Sequence, residues 1–193
     1  FTYNGFTLVA YPAGKTETSY AIPGGVTRIE IAAFSDATAL TSITIPAGVT
    51  SIGDEAFYGA SALTSITIPA SVTSIDDAAF ADATALQSVT FTSPSALESI
   101  GASAFLGATA LTSITIPASV TSIGDSAFED ATALTSINIP ASVTSIGDWA
   151  FNTASSLTSF AVDGGTSYKA TSDVLFTYNG FTLVAYPAGK TET

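Results

Sequence analysis

Hydrophobic and polar positions along this chain alternate in short stretches that return at a fixed distance. Within residues 40–62, Leu40, Ile43 and Ile45 turn to one side while Ser42 and Thr44 turn to the other. That is the period-two pattern of a half-buried strand rich in β-branched residues. Pro46 lacks the N–H that would continue a ladder and ends the strand. Val49 and Ile52 then mark a second short extended stretch on another side of the chain path. The run Asp54, Glu55, Ala56, Phe57 reads as one helical turn, with Asp54 as its N-cap and Phe57 driven inward. An Ala-rich link leads to the next Leu.

The whole stretch then recurs as a coil whose period is the step from Leu40 to Leu63. LTSITIPAGVTSIGDEAFYGASA starts at Leu40, and close copies start at Leu63, Leu111 and Leu134. The copy from Leu86 carries two extra residues around positions 93–96 and has Thr92 in place of the Pro, so this coil is expected to bulge. Partial coils flank the array, over residues 20–39 and 157–162. Since one coil cannot bury its apolar face alone, successive coils must stack at about 4.8 Å. Identical residues then form columns: Leu40/63/86/111/134/157, Phe34/57/80/105/128/151, and the Ile43 and Ile45 columns with Val89, Phe91, Phe160 and Val162 as variants. The predicted fold is a solenoid with a parallel sheet on one side and short helical or 3₁₀ turns elsewhere.

The coil pattern LxxIxIPxxVxxIGxxAF resembles the leucine-rich repeat of the BspA-like family of surface proteins, over roughly residues 20–162. Segments similar to YKATSDVLF and LVAYPAGK occur between repeat blocks in that family. The resemblance implies a leucine-rich-repeat solenoid, an extracellular or cell-surface location, and a role in adhesion or in binding proteins. It carries over no catalytic residue and no cofactor. Where the family often has Cys, this chain has Ala37, Ala60, Ala83, Ala108, Ala131 and Ala154.

The two ends are identical: FTYNGFTLVAYPAGKTET occupies 1–18 and returns unchanged at 176–193. Internal coils have drifted from one another, so this identity implies a super-repeat whose unit is 1–175 or, on the plainer reading, a boundary effect or a preserved pair of caps. The chain therefore divides into a segment at 1–18, a solenoid at 19–162 and a second inter-block segment at 163–193. In the latter, Phe176 to Tyr178, Asn179-Gly180 and Phe181 to Val184 form a hairpin signal, because Asn-Gly suits the φ > 0 positions of a type I′ turn. The first residue is Phe, with no basic or apolar leader after it, so a targeting signal is expected to lie outside these residues.

Composition narrows the function classes. Four basic residues face sixteen acidic ones, for a net charge of −12, which repels phosphate backbones and anionic lipid surfaces. Nucleic acid is not an expected partner. No apolar run approaches the roughly 18 residues that cross a bilayer, so membrane insertion is not expected either. His and Cys are absent, which leaves a Ser nucleophile without its ordinary base and a metal without thiolate or imidazole ligands. Asp76 and Asp77 are not a convincing acid/base pair, and Gly24-Gly25 and Gly164-Gly165 are turn material. The expectation is a protein that is not an enzyme and needs no cofactor or metal.

What remains is surface. The strand face presents Thr41, Ser42 and Thr44; Thr64, Ser65 and Thr67; Ser88 and Thr90; Thr112, Ser113 and Thr115; and Thr135, Ser136 and Asn138, with Gln87 and Ala161 as further exceptions. Neighbours lie about 4.8 Å apart between coils and about 6.7 Å apart along a strand. Such a lattice could hydrogen-bond a protein, a glycan or ordered water; the plainer reading is that Ser and Thr suit the solvated face of a parallel sheet. A column of Asp54, Asp77, Asp125 and Asp148 could be read as Ca²⁺ ligands, but the N-cap role accounts for it without a calcium loop. Asp36, Asp82 and Asp130 add to an acidic face, and Tyr58 and Trp149 are expected to be exposed. The functional expectation is adhesion or protein or glycan binding through the Ser/Thr face; the alternative is a filament of copies stacked end to end.

Overall fold

The structure, a computed structural model, describes residues 2–4, 7–165, 167–177 and 182–190, with backbone alone for 2–4. Its strands in the first third of the chain are β1 (Thr2–Asn4), β2 (Thr7–Ala10), β3 (Ser19–Ala21), β4 (Arg28–Ile29), β5 (Ser42–Thr44) and β6 (Ser51–Ile52). Next come β7 (Ser65–Ile68), β8 (Ser74–Ile75), β9 (Ser88–Phe91), β10 (Ser99–Ile100), β11 (Ser113–Ile114) and β12 (Ser122–Ile123). The chain finishes with β13 (Ser136–Ile139), β14 (Ser145–Ile146), β15 (Ser159–Val162), β16 (Tyr168–Thr171), β17 (Val174–Thr177) and β18 (Leu183–Ala185).

Each coil contributes two strands, and the two sets stack separately. The second, shorter stretch of each coil makes the longest sheet, in the order β1-β2-β4-β6-β8-β10-β12-β14 and parallel from β2 onward. Its register is that of the repeat: Ile29, Ile52, Ile75, Ile100, Ile123 and Ile146 are successive partners. The first stretch, expected to form the main sheet, is instead divided into β3-β5, β7-β9-β11 and β13-β15. Between the last two pieces only an isolated bridge, Thr115 to Asn138, links the strands.

The core is apolar throughout. Every member of the Leu40 column is fully buried, as are the Ala37 and Phe34 columns to within a few per cent. Among the described residues no polar or charged side chain is buried. The Phe rings stack from Phe34 to Phe151 with centroids 4.9 to 5.7 Å apart and planes within 7° of parallel. Tyr11 tilts onto Phe34 at 5.2 Å at one end, and Phe160 meets Phe151 edge-on at 5.1 Å at the other.

Among the described residues no helix is present, which corrects the expected helical turn at Asp54 to Phe57. Two residues per coil have positive φ instead: Ala32, Glu55, Ala78, Ser103, Ser126 and Trp149, then Asp36, Gly59, Asp82, Gly107, Asp130 and Thr153. These left-handed residues rotate alternate peptides so that the N–H groups of Glu55, Phe57 and Gly59 donate to the carbonyls of Asp77, Ala79 and Ala81 one coil ahead. A helix would direct those groups along its own axis and leave the coils unbonded on this side. The left-handed conformation costs roughly 1–2 kcal/mol at a residue with a Cβ. At the second column it falls mostly on Asp and Gly, both tolerant types. A Cβ at Gly59 would lie 2.6 Å from Asp36 Oδ1, and one at Gly107 2.6 Å from Asp82 Oδ1, so Gly makes room for the carboxylate one coil before it.

The Asp54 column has a different role from capping. Asp54 Oδ1 accepts from the N–H of Asp77 at 3.1 Å, Asp77 Oδ1 from Ala102 at 2.7 Å, and Asp125 Oδ1 from Asp148 at 2.9 Å. The amides a cap would bind, such as that of Phe57, already donate to the next coil. Each of these three Asp residues therefore staples its own coil to the one that follows.

The terminal segments differ from the coils. β1 and β2 pair antiparallel, as do β16, β17 and β18. The arms of the expected hairpin after residue 163 pair as predicted, whereas its Asn179-Gly180 turn lies outside the described residues.

Two outcomes check this packing. Phe80→Ala, which removes a ring stacked on both sides, should lower stability by about 3–5 kcal/mol in chemical denaturation. Asp77→Ala should cost about 1 kcal/mol by leaving the Ala102 amide without its acceptor, and hydrogen exchange should show the loss of protection at Ala102 rather than within the Asp77 turn.

Candidate ligand-binding face

The predicted face is formed by the first strand of each coil, where Pro46 and its counterparts end the ladder and hold the outward residues to a short, flat row. Thr41, Ser42, Thr44, Thr64, Ser65, Thr67, Ser88, Thr90, Thr112, Ser113, Thr115, Thr135 and Ser136 are all exposed. Asn138 is half-buried. The register brings like residues side by side: Ser65, Ser88 and Ser113 in one row, Thr67 beside Thr90, and Ser136 beside Ser159.

The hydroxyls are not equivalent. Thr41, Thr64, Thr135 and Thr158 donate to the carbonyls of Thr18, Thr41, Thr112 and Thr135 in the preceding coil, over 2.9 to 3.4 Å. These donors are part of the stack. The Ser42 and Thr44 columns face solvent. A second Thr ladder, absent from the predicted site, behaves like the first: Thr50, Thr73, Thr121 and Thr144 donate to the preceding coil at 3.1 to 3.2 Å.

The bulged coil interrupts this lattice. Residues 92–94 and 96 loop out to solvent while Leu97 returns to the core in the place of Val72. Beside the bulge, where the sheet is broken between β11 and β13, a groove of about 610 Å³ opens. Thr90, Thr115 and Asn138 line it together with Ser119 and Asp163, over an apolar floor that includes Phe91 and Ile116. Two polar atoms of these lining residues, Ser119 Oγ and Asn138 Oδ1, are themselves covered and have no hydrogen-bond partner. The cause at Ser119 is visible in its neighbours: Ser71 and Ser142 donate to the carbonyls of Val49 and Val120 one coil back. For Ser119 the coil one step back is the bulged one, and the corresponding bond is not formed. An unsatisfied buried group costs about 1–3 kcal/mol.

Sequence reasoning picked out Thr90, Thr115 and Asn138 but not Ser119 or Asp163. The two-residue insertion was the available signal, since a longer coil must displace the acceptors its successor relies on.

The opposite side carries the acidic face. Tyr58 is exposed there, as expected, and the Asp82 carboxylate of the following coil holds its phenol above the usual range. Trp149 is 73% exposed. Thr153 Oγ1 donates to Asp130 Oδ1 at 2.6 Å, so this acid too is tied to its neighbouring coil.

The sequence matches the BspA type leucine rich repeat region, in six copies, over residues 13–106 and 90–191. No curated protein matches the chain. Among solved structures, a leucine rich cell surface protein from Faecalibacterium prausnitzii is 31% identical, with a TM-score of 0.68 over 96% of this chain and 58% of its own. The pneumococcal vaccine antigen PcpA is 29% identical, with a TM-score of 0.80 over 98% of this chain and 51% of its own. A leucine rich repeat protein from T. pallidum is 26% identical, with a TM-score of 0.75 over 81% of this chain and 75% of its own. The chain thus spans little more than half the length of the first two.

The two kinds of hydroxyl separate by mutation. Thr64→Val should cost about 0.5–1.5 kcal/mol through the lost inter-coil bond, whereas Ser65→Ala should stay within about 0.5 kcal/mol of the parent, both read from denaturant midpoints.

Proposed function

Because the chain belongs to the BspA-type leucine-rich repeat family, we propose that it serves at the cell surface in adhesion, taking up a protein or glycan ligand on its Ser/Thr-rich strand face. The observation that carries this reading is the groove beside the bulge, where Thr90, Thr115 and Asn138 line a hollow of about 610 Å³ within a field of exposed hydroxyls. The mixture of apolar floor and convergent polar groups suits a ligand that presents both hydroxyl or amide groups and a flat apolar face. A sugar ring or an extended peptide has that character. The flat rows of Ser42 and Thr44 hydroxyls on either side extend the contact, so a ligand longer than the groove gains further hydrogen bonds without needing a second pocket.

The cell-surface description of the F. prausnitzii relative supports the location. Among the described residues no helix is long and apolar enough to cross a membrane.

The test uses immobilised panels of glycans and of host matrix proteins. Replacing Thr44, Thr67, Thr90 and Thr115 with Lys should reduce binding to whatever the parent chain retains by about tenfold or more, equivalent to roughly 1.4 kcal/mol. Asn138→Leu, which adds no charge, should weaken it in the same direction. Parent-level binding by both variants removes this face from consideration.

A further inference from the structure

The segment found at both ends has different surroundings in its two places, and the differences are complementary. In the first copy, Leu8 and Tyr11 are buried, at 0% and 4% exposure, beneath the coil that follows them. β2 there pairs in parallel with β4, Thr7 beside Arg28 and Leu8 beside Ile29, and the Tyr11 N–H donates to the Ala33 carbonyl at 2.6 Å. In the second copy the matching residues Leu183 and Tyr186 stand 56% and 44% exposed. β18 ends its sheet, which runs β16-β17-β18, so the edge that β2 gives to β4 is open in β18. An open edge with apolar residues beside it is a template for another strand.

The other side of the segment shows the reverse. Gly189 seats on the solenoid that precedes it: its N–H donates to the Leu157 carbonyl at 2.8 Å, and an added Cβ would come within 2.6 Å of the Ser155 carbonyl oxygen. The matching Gly14 has nothing within 4 Å. One face of the segment is thus shaped to receive the coils before it and the other to receive the coils after it, and each copy in this chain uses one.

We infer that residues 182–190 are the seat for the first coil of a following repeat block, a second copy of residues 19–40 that continues directly from Thr193, so that repeat blocks join through one continuous sheet. The occupant follows from identity: β18 repeats β2, and the strand β2 accepts is β4. The junction would place an Ile29 beside Leu183 and an aromatic column, headed by Phe34, against Tyr186. The stack would then pass from one block to the next without exposing an apolar end.

The experiment compares the chain as it stands with a tandem in which residues 19–193 follow Thr193 directly. Because residues 176–193 repeat 1–18, the tandem contains native sequence alone. Hydrogen exchange at Leu183 and Ala185 should slow by about a hundredfold in the tandem, the protection given by a formed sheet. Leu183→Asp should leave the melting temperature of the single chain unchanged, its side chain being exposed, and should abolish the added protection in the tandem. Equal exchange at Leu183 in the two proteins, or an unaltered tandem carrying Leu183→Asp, overturns the proposal.

Discussion

Each coil of this protein depends on its neighbours for its backbone hydrogen bonds. A coil has no helix and only strands of two to four residues, so it cannot satisfy its own peptide groups, and an unpaired buried N–H or carbonyl costs as much as a lost hydrogen bond. The sequence meets this requirement three times per turn. Strand residues bond to the coil behind; the left-handed residues turn alternate amides to the coil ahead; Thr hydroxyls and Asp carboxylates close the gaps between. The apolar columns follow from the same geometry, since coils bonded in register with the repeat must place like side chains over like. Stacked Phe rings at 4.9 to 5.7 Å are a consequence of that pitch as much as a cause of it.

A stack held by nearest-neighbour bonds confines its defects. Two extra residues in one coil leave the Val and Phe columns filled, because Leu97 takes the place of Val72 and Phe105 returns to the core after the bulge. What changes is the set of acceptors offered to the coil after it. Ser119 is left without a partner, and the first-strand sheet is reduced to the single Thr115–Asn138 bridge one coil further on.

The ends face the opposite problem. A solenoid must either cover its last coil or pass it to something else. At the first coil, β2 and the residues after it cover the Phe ladder with Tyr11; at the last, Phe160 closes the ladder edge-on and the Tyr168 hydroxyl accepts the Ile146 amide at 2.9 Å in place of a further strand. The sequence shared by the two ends therefore stands in two different settings, with burial at Leu8 and exposure at Leu183 as the contrast.

The sequence by itself determined the period, the Leu and Phe columns of the core, the bulge in the coil from Leu86 and the identity of the two end segments. Those depend on which residues recur, and recurrence is written in one dimension. It did not reveal that Asp54 binds the next coil instead of capping a helix, that the Ser51–Ile52 stretch carries the longest sheet, or that the Thr41 and Ser42 columns have different roles. Ser119 was missed as well, because nothing in its own residue type marks it as unpaired and its only signal is the insertion one coil back. Each of these turns on where a neighbouring coil places its carbonyls and amides. That depends on the backbone torsions of a whole intervening coil, and only the assembled stack decides it.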